Sequence, residues 1–514
     1  MKKVDVLVVG SGHNGLVAAV LLARQKLDVL IVEEKAVIGG ACRTEKPFQT
    51  APQLSISTGA YLLGLMPPEL LQILDIDLPL IRRDPHYFLP TTGKRYLLFG
   101  SDIEAMQQQF TEFFSEADWK ANQKLQEEIS QIREDIAPTW LEEPLSIEDT
   151  AERYLRPSLR QVFIDLCQKS VGEYLNRFEF KSDLLKAMYA VTDGFSGLYG
   201  TWDTPGTGMN FLIHNMCRLP GSDGTWMMIK GGMGTVTQRL ADAAIKAGAK
   251  IETGCGVRQI LLENGVAKGV VLQNDTEISA NTVIVNADPF RMRDIIDAKN
   301  LPANYNARID NYRKDGSTFK VNLCLKGLPK FTCLPEDCGQ YGTTIHLLPD
   351  EAQVMQQLRS TFADVQAGRL PDFPAIEWYI HTTLDPSMQD AEKHHNSALF
   401  VQWVPYELEG TTWDEEESRY ISHLLEICDR FAPNTSQLVQ EVFPLHPQKL
   451  EQHFGLTRGH IHHVDNSFGF ADRLPYNTPI PGLYSASAAC HPAGSVIGAA
   501  GYNSAQRVLR DFSF

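Results

Sequence analysis

The chain has 514 residues, which is enough for roughly two to four domains and a large buried core. Hydrophobic residues make up 43% of the sequence and charged residues 21%, a globular composition that argues against a disordered or fibrous protein. The 63 acidic side chains outnumber the 47 lysines and arginines and give a formal charge of −16, which argues against a nucleic-acid partner.

The cysteines and the N-terminal residues bear on cellular location. Nine cysteines are spread from Cys42 to Cys490 without the spacing of a disulfide framework, which favours a reduced, intracellular protein. Asp5 interrupts the first apolar stretch before it reaches the length of a signal peptide. No apolar run approaches the roughly eighteen residues of a membrane span. We therefore predict a cytoplasmic protein, and the sequence leaves peripheral membrane contact and the oligomeric state open.

The first elements predict a nucleotide-binding unit. Residues 4–9 read VDVLVV, an apolar run typical of a buried parallel strand. This strand leads into GSGHNG at residues 10–15, and a helical stretch follows over residues 16–24. The next strand, over residues 27–33, ends in Glu33. Strand, glycine turn, helix, strand and acid in this order predict a dinucleotide site.

Each residue type in this unit has a physical role. Gly10 permits a tight turn, Gly12 lets the backbone approach a pyrophosphate, and Gly15 lets the helix pack close to the sheet. The amides at the start of the helix face the phosphate charge, and Glu33 can accept hydrogen bonds from ribose hydroxyls. The predicted contacts in this unit are Gly10, Gly12, His13, Asn14, Gly15, Glu33 and Glu34.

A glycine pair follows this acid in VIGGACRTE, residues 37–45. The pair resembles the second fingerprint of flavoproteins of the two-dinucleotide-binding type, in which it lets the chain pass close to FAD. Simple nicotinamide dehydrogenases lack this pair, so the resemblance implies FAD as the cofactor. The contacts that it implies are Gly39, Gly40, Ala41 and Arg43.

Cys42, beside this pair, raises the alternative of a flavin disulfide reductase. This chain has Pro47 where those enzymes place the second thiol. It also lacks a second glycine motif that follows an apolar strand and opens a helix, as an NAD(P)H domain requires. We therefore predict no redox disulfide and no nicotinamide domain, and we expect oxygen or a quinone to accept the electrons.

The α/β pattern continues later in the chain. An amphipathic helix over residues 235–247 precedes a strand over 250–253, and Asn264-Gly265 joins two alternating runs into a predicted hairpin. A buried strand over 282–286 follows. We interpret this unit as a second part of an FAD domain. Its candidate contacts are Val257, through its backbone to the adenine, and Ala287.

The C-terminal residues predict a further contact with the cofactor. A strand over 481–486 is followed by HPAGSV, and a helix then reaches about Arg510. A helix N-terminus beside the flavin pyrimidine would stabilise negative charge that develops on reduction. The candidate contacts here are Gly494, Ser495 and Val496.

Several stretches together resemble the phytoene-desaturase-like flavoprotein superfamily, which includes carotenoid desaturases, long β-carotene ketolases and retinol saturase. The matching stretches include GSGHNGLVAA (10–19), IKGGMGTVTQRLADA (229–243), WVPYELEGTTWDEEE (403–417) and GLYSASAACHPAGSVIGAAGYNSA (482–505). The resemblance implies hydride transfer between the flavin N5 atom and a carbon of a small hydrophobic substrate, polyene or lipid-like.

The resemblance also implies the fold class. We expect an α/β protein with a Rossmann-like FAD domain of the two-dinucleotide-binding type, built from discontinuous segments, and an α+β substrate domain. Residues 1–75, 225–300 and 450–514 are assigned to the FAD-binding domain. Residues 76–224 and 301–449 are assigned to the substrate or cap domain.

Two departures from the family pattern concern single contacts. Many members carry an arginine directly after the glycine pair, where this chain has Ala41, with Arg43 two positions later. The C-terminal loop reads HPAGSV where the family often has HPGGGV, so Ala493 and Ser495 narrow the space expected at the flavin.

The sequence shows little catalytic side-chain chemistry. His491 and Tyr61 are weak catalytic candidates, and a structural role is the stronger interpretation of each. Residues 198–199 and 209–211 could line an apolar tunnel. We predict no metal site, because the histidines of the 460–463 segment lack acid or thiol partners at ligand spacing.

Three functions are compatible with these patterns. The preferred hypothesis is an FAD-dependent oxidoreductase that acts on a hydrophobic substrate. A flavin amine oxidase carries the same FAD motifs and would be favoured by a pair of aromatic rings at the flavin. The third is a regulatory protein that FAD stabilises but that has no turnover.

Overall fold

The computed structural model describes residues 2–511, in which two large β-sheets form the frame of the molecule. The strand order in the first sheet is Val257–Glu263, Val266–Leu272, Glu277–Val285, Lys2–Val9, Val29–Glu33 and Lys250–Thr253, with Leu483–Ser485 also paired to Glu277–Val285. The hairpin strands at one edge run antiparallel, and the other neighbours are parallel. This arrangement is typical of a nucleotide-binding α/β sheet.

The second sheet is mostly antiparallel. Its strand order is Val439–Leu445, Thr318–Leu325, His395–Gln402, Ala375–Tyr379, Thr344–Leu347, Tyr87–Pro90 and Tyr96–Phe99. Thr344–Leu347 and Tyr87–Pro90 are its parallel pair among the described strands. Two small ribbons pair Thr44–Glu45 with Ile56–Ser57, and Leu80–Ile81 with Met228–Ile229.

Helices cover both sheets. The α-helices are His13–Arg24, Pro68–Leu74, Ile103–Phe113, Glu116–Ile136, Ile147–Tyr154, Arg160–Gln168, Val171–Asn176, Asp183–Tyr189, Thr207–His214, Gly234–Ala247, Pro289–Ile296, Ala303–Asn311, Val354–Gln366, Trp413–Phe431, Thr435–Leu438, Pro447–Phe454 and Ala499–Asp511. A π-helical turn spans Ala190–Gly194. Short 3₁₀ turns lie at Ala137–Leu141, Pro157–Leu159, Ala298–Asn300, Gln340–Gly342, His381–Thr383, Pro386–Met388, Thr457–Gly459 and Phe470–Asp472.

The first helix is the centre of the nucleotide-binding half. His13–Arg24 packs against Gly234–Ala247 and against the C-terminal helix Ala499–Asp511. A Cβ atom on Gly501 would lie 2.0 Å from the Asn14 carbonyl oxygen, so only glycine permits this helix crossing. The C-terminal helix therefore packs against the first helix and stabilises the glycine motif that precedes it.

The structure confirms the predicted fold class. The hairpin turns at Asn264 and Gly265, whose φ angles of 51° and 76° suit the tight turn that was predicted. The first sheet draws its strands from residues 2–33, 250–285 and 483–485, and the second from residues 87–99 and 318–445. The exact domain boundaries stay a prediction.

Candidate active site

A cavity of about 320 Å³ runs between the two sheets. At one end Gly10, Gly12 and Glu33 line it, where the first two parallel strands finish. At the other end Lys320 and Glu377 of the second sheet line it. The same cavity therefore joins the predicted nucleotide-binding site, which we call the cradle (residues 10–15 and Glu33), to ionisable side chains of the second sheet.

The glycine motif has the geometry that its sequence predicts. Gly10 adopts a φ of 97°, and a Cβ atom on Gly15 would lie 2.3 Å from the Gly10 carbonyl oxygen. The first helix begins at His13 directly after this turn. Its free amide groups therefore point toward the cradle, where they can bind a pyrophosphate.

The chain itself orients the Glu33 carboxylate. Its Oε2 atom accepts hydrogen bonds from the Ser11 amide and hydroxyl at 2.8 and 2.9 Å, and its Oε1 atom accepts one from the Lys35 amide at 2.9 Å. A carboxylate offers about four lone-pair sites, so capacity for ribose hydroxyls is left. This residue fits the sugar of a dinucleotide.

Most of the predicted cofactor contacts line the cavity. These are Gly10, Gly12, His13, Asn14, Glu33, Glu34, Gly39, Gly40, Ala41, Val257, Ala287, Ser495 and Val496. Asn286, which sequence reasoning missed, joins them and donates a hydrogen bond to the Gly10 carbonyl oxygen at 3.3 Å. Their contact with the cofactor stays a prediction.

Three predicted cofactor contacts do not line the cavity: Gly15, Arg43 and Gly494. Gly15 and Gly494 are closely packed, and a Cβ atom on Gly494 would lie 2.4 Å from the carbonyl oxygen of His462. Arg43 packs over the Phe454 ring, 4.7 Å from its centroid, and pairs with Glu45 at 3.3 Å. Arg43 therefore does not replace the family arginine within the lining of this cavity.

The two catalytic candidates lie in different places. His491 is buried away from the cavity lining, and its Nε2 atom lies 2.8 Å from the Thr139 carbonyl oxygen. Burial lowers the pKa of His491 to about 4. Tyr61 lines the cavity, and its ring centroid is 5.1 Å from that of Tyr379. Of the two catalytic candidates, only Tyr61 lines the cavity and can contact a substrate.

Sequence reasoning missed a row of side chains that crosses the second sheet. Lys320 is directly opposite Phe400 on the neighbouring strand, and Phe400 is directly opposite Glu377 on the next. His346 continues the row opposite Glu377. Because opposite residues in paired strands project from the same face, the row presents an ammonium, a ring and a carboxyl together.

Lys320 is held between aromatic rings. Its Nζ atom lies 4.2 Å from the centroids of both Tyr61 and Phe400, and the side chain is only 6% exposed. Within residues 2–511, no carboxylate lies within ion-pair distance of this ammonium. Burial lowers the pKa of Lys320 to about 7, against the opposing influence of Glu377. Lys320 can therefore hold or release a proton near neutral pH.

Glu377 is the centre of a hydrogen-bond network. The Tyr379 hydroxyl donates to Oε2 at 2.5 Å, and Gln402 donates to Oε1 at 3.3 Å. His346 approaches Oε1 at 3.5 Å through Nε2, while its Nδ1 atom lies 2.9 Å from the Tyr87 hydroxyl. These contacts fix the carboxyl group in the cavity wall.

Asp193 adds a second acid from the helical side. It lies in the π-helical turn Ala190–Gly194 and lines the cavity beside Thr192, Ser196 and His214. Its Oδ2 atom accepts a hydrogen bond from the Asn215 amide at 3.0 Å. Burial raises the pKa of Asp193 to about 7, and the Glu377 charge acts in the same direction.

The three histidines near the C-terminus take separate partners. His460 Nε2 lies 3.1 Å from Asp465 Oδ1, His462 Nε2 lies 3.1 Å from the Ser196 carbonyl oxygen, and His463 Nδ1 lies 2.8 Å from the Ser487 hydroxyl. Across residues 2–511 no group of three or more metal-binding side chains is assembled.

The helices give no evidence of a membrane span. Within the described part of the chain, none is both long enough and apolar enough to cross a bilayer.

Comparisons with known proteins identify the relatives of this chain. Residues 15–348 match the flavin containing amine oxidoreductase family. The chain is 31% identical to pyridine nucleotide-disulfide oxidoreductase domain-containing protein 2 of Rattus norvegicus, over 99% of this chain and 93% of that protein. It is 24% identical to a component of the limonene dehydrogenase of Castellaniella defragrans, over 99% of this chain and 95% of that protein.

A solved structure shows the same fold. An oxidoreductase from Methanosarcina mazei aligns with a TM-score of 0.63 at 17% identity, over 99% of this chain and 100% of that one. At this identity the likeness concerns the fold alone.

Proposed function

The chain belongs to the family of flavin-containing amine oxidoreductases, and on this premise we propose that it transfers hydride between the N5 atom of FAD and a carbon of a largely apolar substrate. FAD is its cofactor, and the protein is an oxidoreductase. The observation that carries the proposal is the cavity that joins the nucleotide cradle to the Lys320–Glu377 row.

The residues at the cradle fit FAD. The amides after Gly12 would hold the pyrophosphate, the Glu33 carboxylate the ribose, and the backbone at Val257 the adenine. Bound FAD supplies the hydride acceptor of the reaction. The residues from Gly39 to Ala41 and from Ser495 to Val496 line the passage between the cradle and the second sheet.

The walls beyond the cradle favour an apolar substrate. Tyr61, Tyr379, Phe400 and Ile461 line this part and would exclude water from the reacting carbon. The relative named for limonene, a hydrocarbon, supports the same substrate class. Polyene and lipid-like compounds belong to this proposal.

The proton released in the reaction needs an acceptor in the part of the cavity lined by Asp193, Lys320 and Glu377, which we call the chamber. Glu377 faces the cavity and is held by Tyr379 and Gln402, so it is placed to receive a proton released from the substrate. We propose oxygen or a quinone as the electron acceptor. We also propose a cytoplasmic location for the protein.

The alternatives differ in what they require of these residues. An amine oxidase of the kind considered from the sequence needs a ring pair open to a substrate ammonium. Lys320 fills the space between Tyr61 and Phe400, and the Tyr61 and Tyr379 rings are in direct contact, with centroids 5.1 Å apart, so neither pair is open. A regulatory protein without turnover needs no buried ammonium or acid in its cavity, because such groups cost free energy of folding. The chamber therefore favours an active oxidoreductase.

Absorbance spectroscopy of the purified protein tests the proposal. We expect the flavin bands, and we expect limonene or a related terpene or terpene alcohol to bleach them under anaerobic conditions. Photoreduction with a chemical donor is the control for a competent flavin. Colourless protein after loading with FAD, or flavin that no such compound reduces, would contradict the proposal.

A further inference from the structure

The far end of the cavity carries more polar groups than a hydrocarbon site requires. Asp193 and Glu377 supply two acids, and Lys320 supplies a basic group in the same cavity. Resting on the proposed function, we propose that the substrate carries a hydroxyl group and that Glu377 and Asp193 bind it. The substrate class is thus an apolar alcohol rather than a pure hydrocarbon.

The acids are placed to accept a hydrogen bond from a ligand. Asp193 receives the Asn215 amide at Oδ2, and its other oxygen receives no hydrogen bond from any residue between 2 and 511. Glu377 receives Tyr379 and Gln402 on separate oxygens, which leaves lone pairs on both. A ligand donor that reaches either acid would complete its hydrogen bonding.

The chamber holds acidic and basic groups together, so a ligand with a full charge of either sign meets at least one group of like charge. The Lys320 ammonium lies between Tyr61 and Phe400 and would repel a substrate cation that approaches these rings. The two acids would repel a substrate anion. A hydroxyl group carries no charge and both donates and accepts, so it suits an acid and a lysine at once.

The neighbouring groups have the same mixed character. The side chains of Thr192 and Ser196 and the neutral imidazole of His214 line the same end of the cavity, where burial lowers the pKa of His214 to about 4. Thr192 already donates to the Met188 carbonyl oxygen at 2.7 Å, but hydrocarbon alone would leave the Ser196 hydroxyl and the His214 imidazole without a hydrogen-bond partner among residues 2–511. Each such group is expected to cost about tenfold in affinity.

Equilibrium binding to the FAD-loaded protein tests this inference. The probes share one carbon skeleton: limonene, perillyl alcohol and perillylamine. Flavin that has first been photoreduced cannot accept hydride, so changes in the absorbance of the reduced flavin under anaerobic conditions report the Kd of each. We expect the alcohol to bind at least about tenfold more tightly than the hydrocarbon and the amine.

Two variants locate the effect. Glu377→Gln removes a charged acceptor, and Asp193→Ala removes the second acid. Each variant should raise the Kd of perillyl alcohol about tenfold and leave the Kd of limonene unchanged. Asp310→Asn is the matched control, because Asp310 is exposed and pairs with Arg293 far from the lining. The FAD content of each variant reports whether it has folded.

Several results would overturn the inference. One is equal or tighter binding of limonene or perillylamine, and another is no flavin perturbation by the alcohol. A preference for the alcohol that survives in both acid variants would do so as well. Failure of the proposed function looks different, because then no flavin is retained or no compound reduces it.

Discussion

At the scale of single residues, Glu33 shows how a motif residue is prepared for its ligand. Ser11 and Lys35 donate to both of its oxygens, so the carboxylate is oriented at the rim of the cradle by the chain itself. A charged acceptor forms hydrogen bonds about twice as strong as those of a neutral one. The charge of Glu33 should therefore matter for FAD affinity more than its shape.

Glu33→Gln tests this role. We expect the Kd for FAD to rise about tenfold, because the variant keeps the side-chain volume but loses the charge-assisted bonds to ribose. Titration of the apoprotein by flavin fluorescence measures the change. Glu252→Gln on the adjacent strand is the control, since Glu252 is partly exposed and pairs with Lys2. An unchanged Kd in Glu33→Gln would remove Glu33 from the nucleotide site.

Lys320 makes a prediction about pH and stability. Its pKa lies near 7 in the folded protein and near 10.5 in an exposed lysine, so between these values the unfolded chain binds a proton that the folded chain lacks. The free energy of unfolding should therefore rise with pH in this window. From pH 7 to pH 9 the gain should be about 2 kcal/mol relative to Lys320→Met.

Urea unfolding of both apoproteins at the two pH values measures the gain. Taking the difference between the native protein and Lys320→Met cancels the titration of the other groups. A difference that stays constant, or that shrinks as pH rises, would show that Lys320 is not held in the low-pKa state.

The glycine motif and Glu33 could be predicted from the sequence, whereas the chamber could not. Turn glycines and a strand-end acid are read from adjacent residues, but Asp193, Lys320 and Glu377 meet only through long-range packing. A local signal was present in the second sheet. Thr318, Lys320 and Asn322 are polar at alternate positions of a strand that is buried throughout, which indicates a polar face turned toward a site.

At the scale of elements, the crossing of the first and last helices supports the cradle. The Gly501 contact with Asn14 sets the distance between His13–Arg24 and Ala499–Asp511. The glycine- and alanine-rich C-terminal stretch therefore has a packing role as well as its predicted role at the flavin. The glycine and alanine content of this stretch predicts close helix packing, but it does not indicate which helix the stretch packs against.

Gly501→Ala tests the crossing. The added methyl group would push the two helices apart, and we expect a loss of about 1–3 kcal/mol in stability together with weaker FAD binding. Gln506→Ala, at a half-buried position of the same helix, should change neither property. Thermal unfolding and FAD titration measure both effects. Normal FAD affinity in Gly501→Ala would separate the crossing from the cradle.

At the scale of the whole molecule, the cradle draws on segments far apart in the chain. Gly10 and Val257 line it and Ser495 lines the adjoining part of the same cavity, so FAD can bind only when all three segments are folded. The α/β class and these segments could be predicted because strand and helix patterns are local. The pairing of the second sheet could not, since its strands come from residues as distant as 87 and 445.

This arrangement predicts that FAD stabilises the entire chain. At FAD concentrations of about 100 times the Kd, the free energy of unfolding should rise by about 2.7 kcal/mol. The midpoint of thermal unfolding should increase by a few degrees and depend on FAD concentration. An unfolding midpoint that is independent of FAD would show that the cradle is not a site of the native state.

A crystal structure of the FAD-loaded protein tests the central claim most directly. We predict the adenosine half of FAD at Gly12 and Glu33, and the flavin ring between Ala41 and the Tyr61–Lys320 pair, with one face open to the chamber of Asp193 and Glu377. A flavin ring bound outside this cavity, or one separated from the chamber by closely packed side chains, would contradict the account.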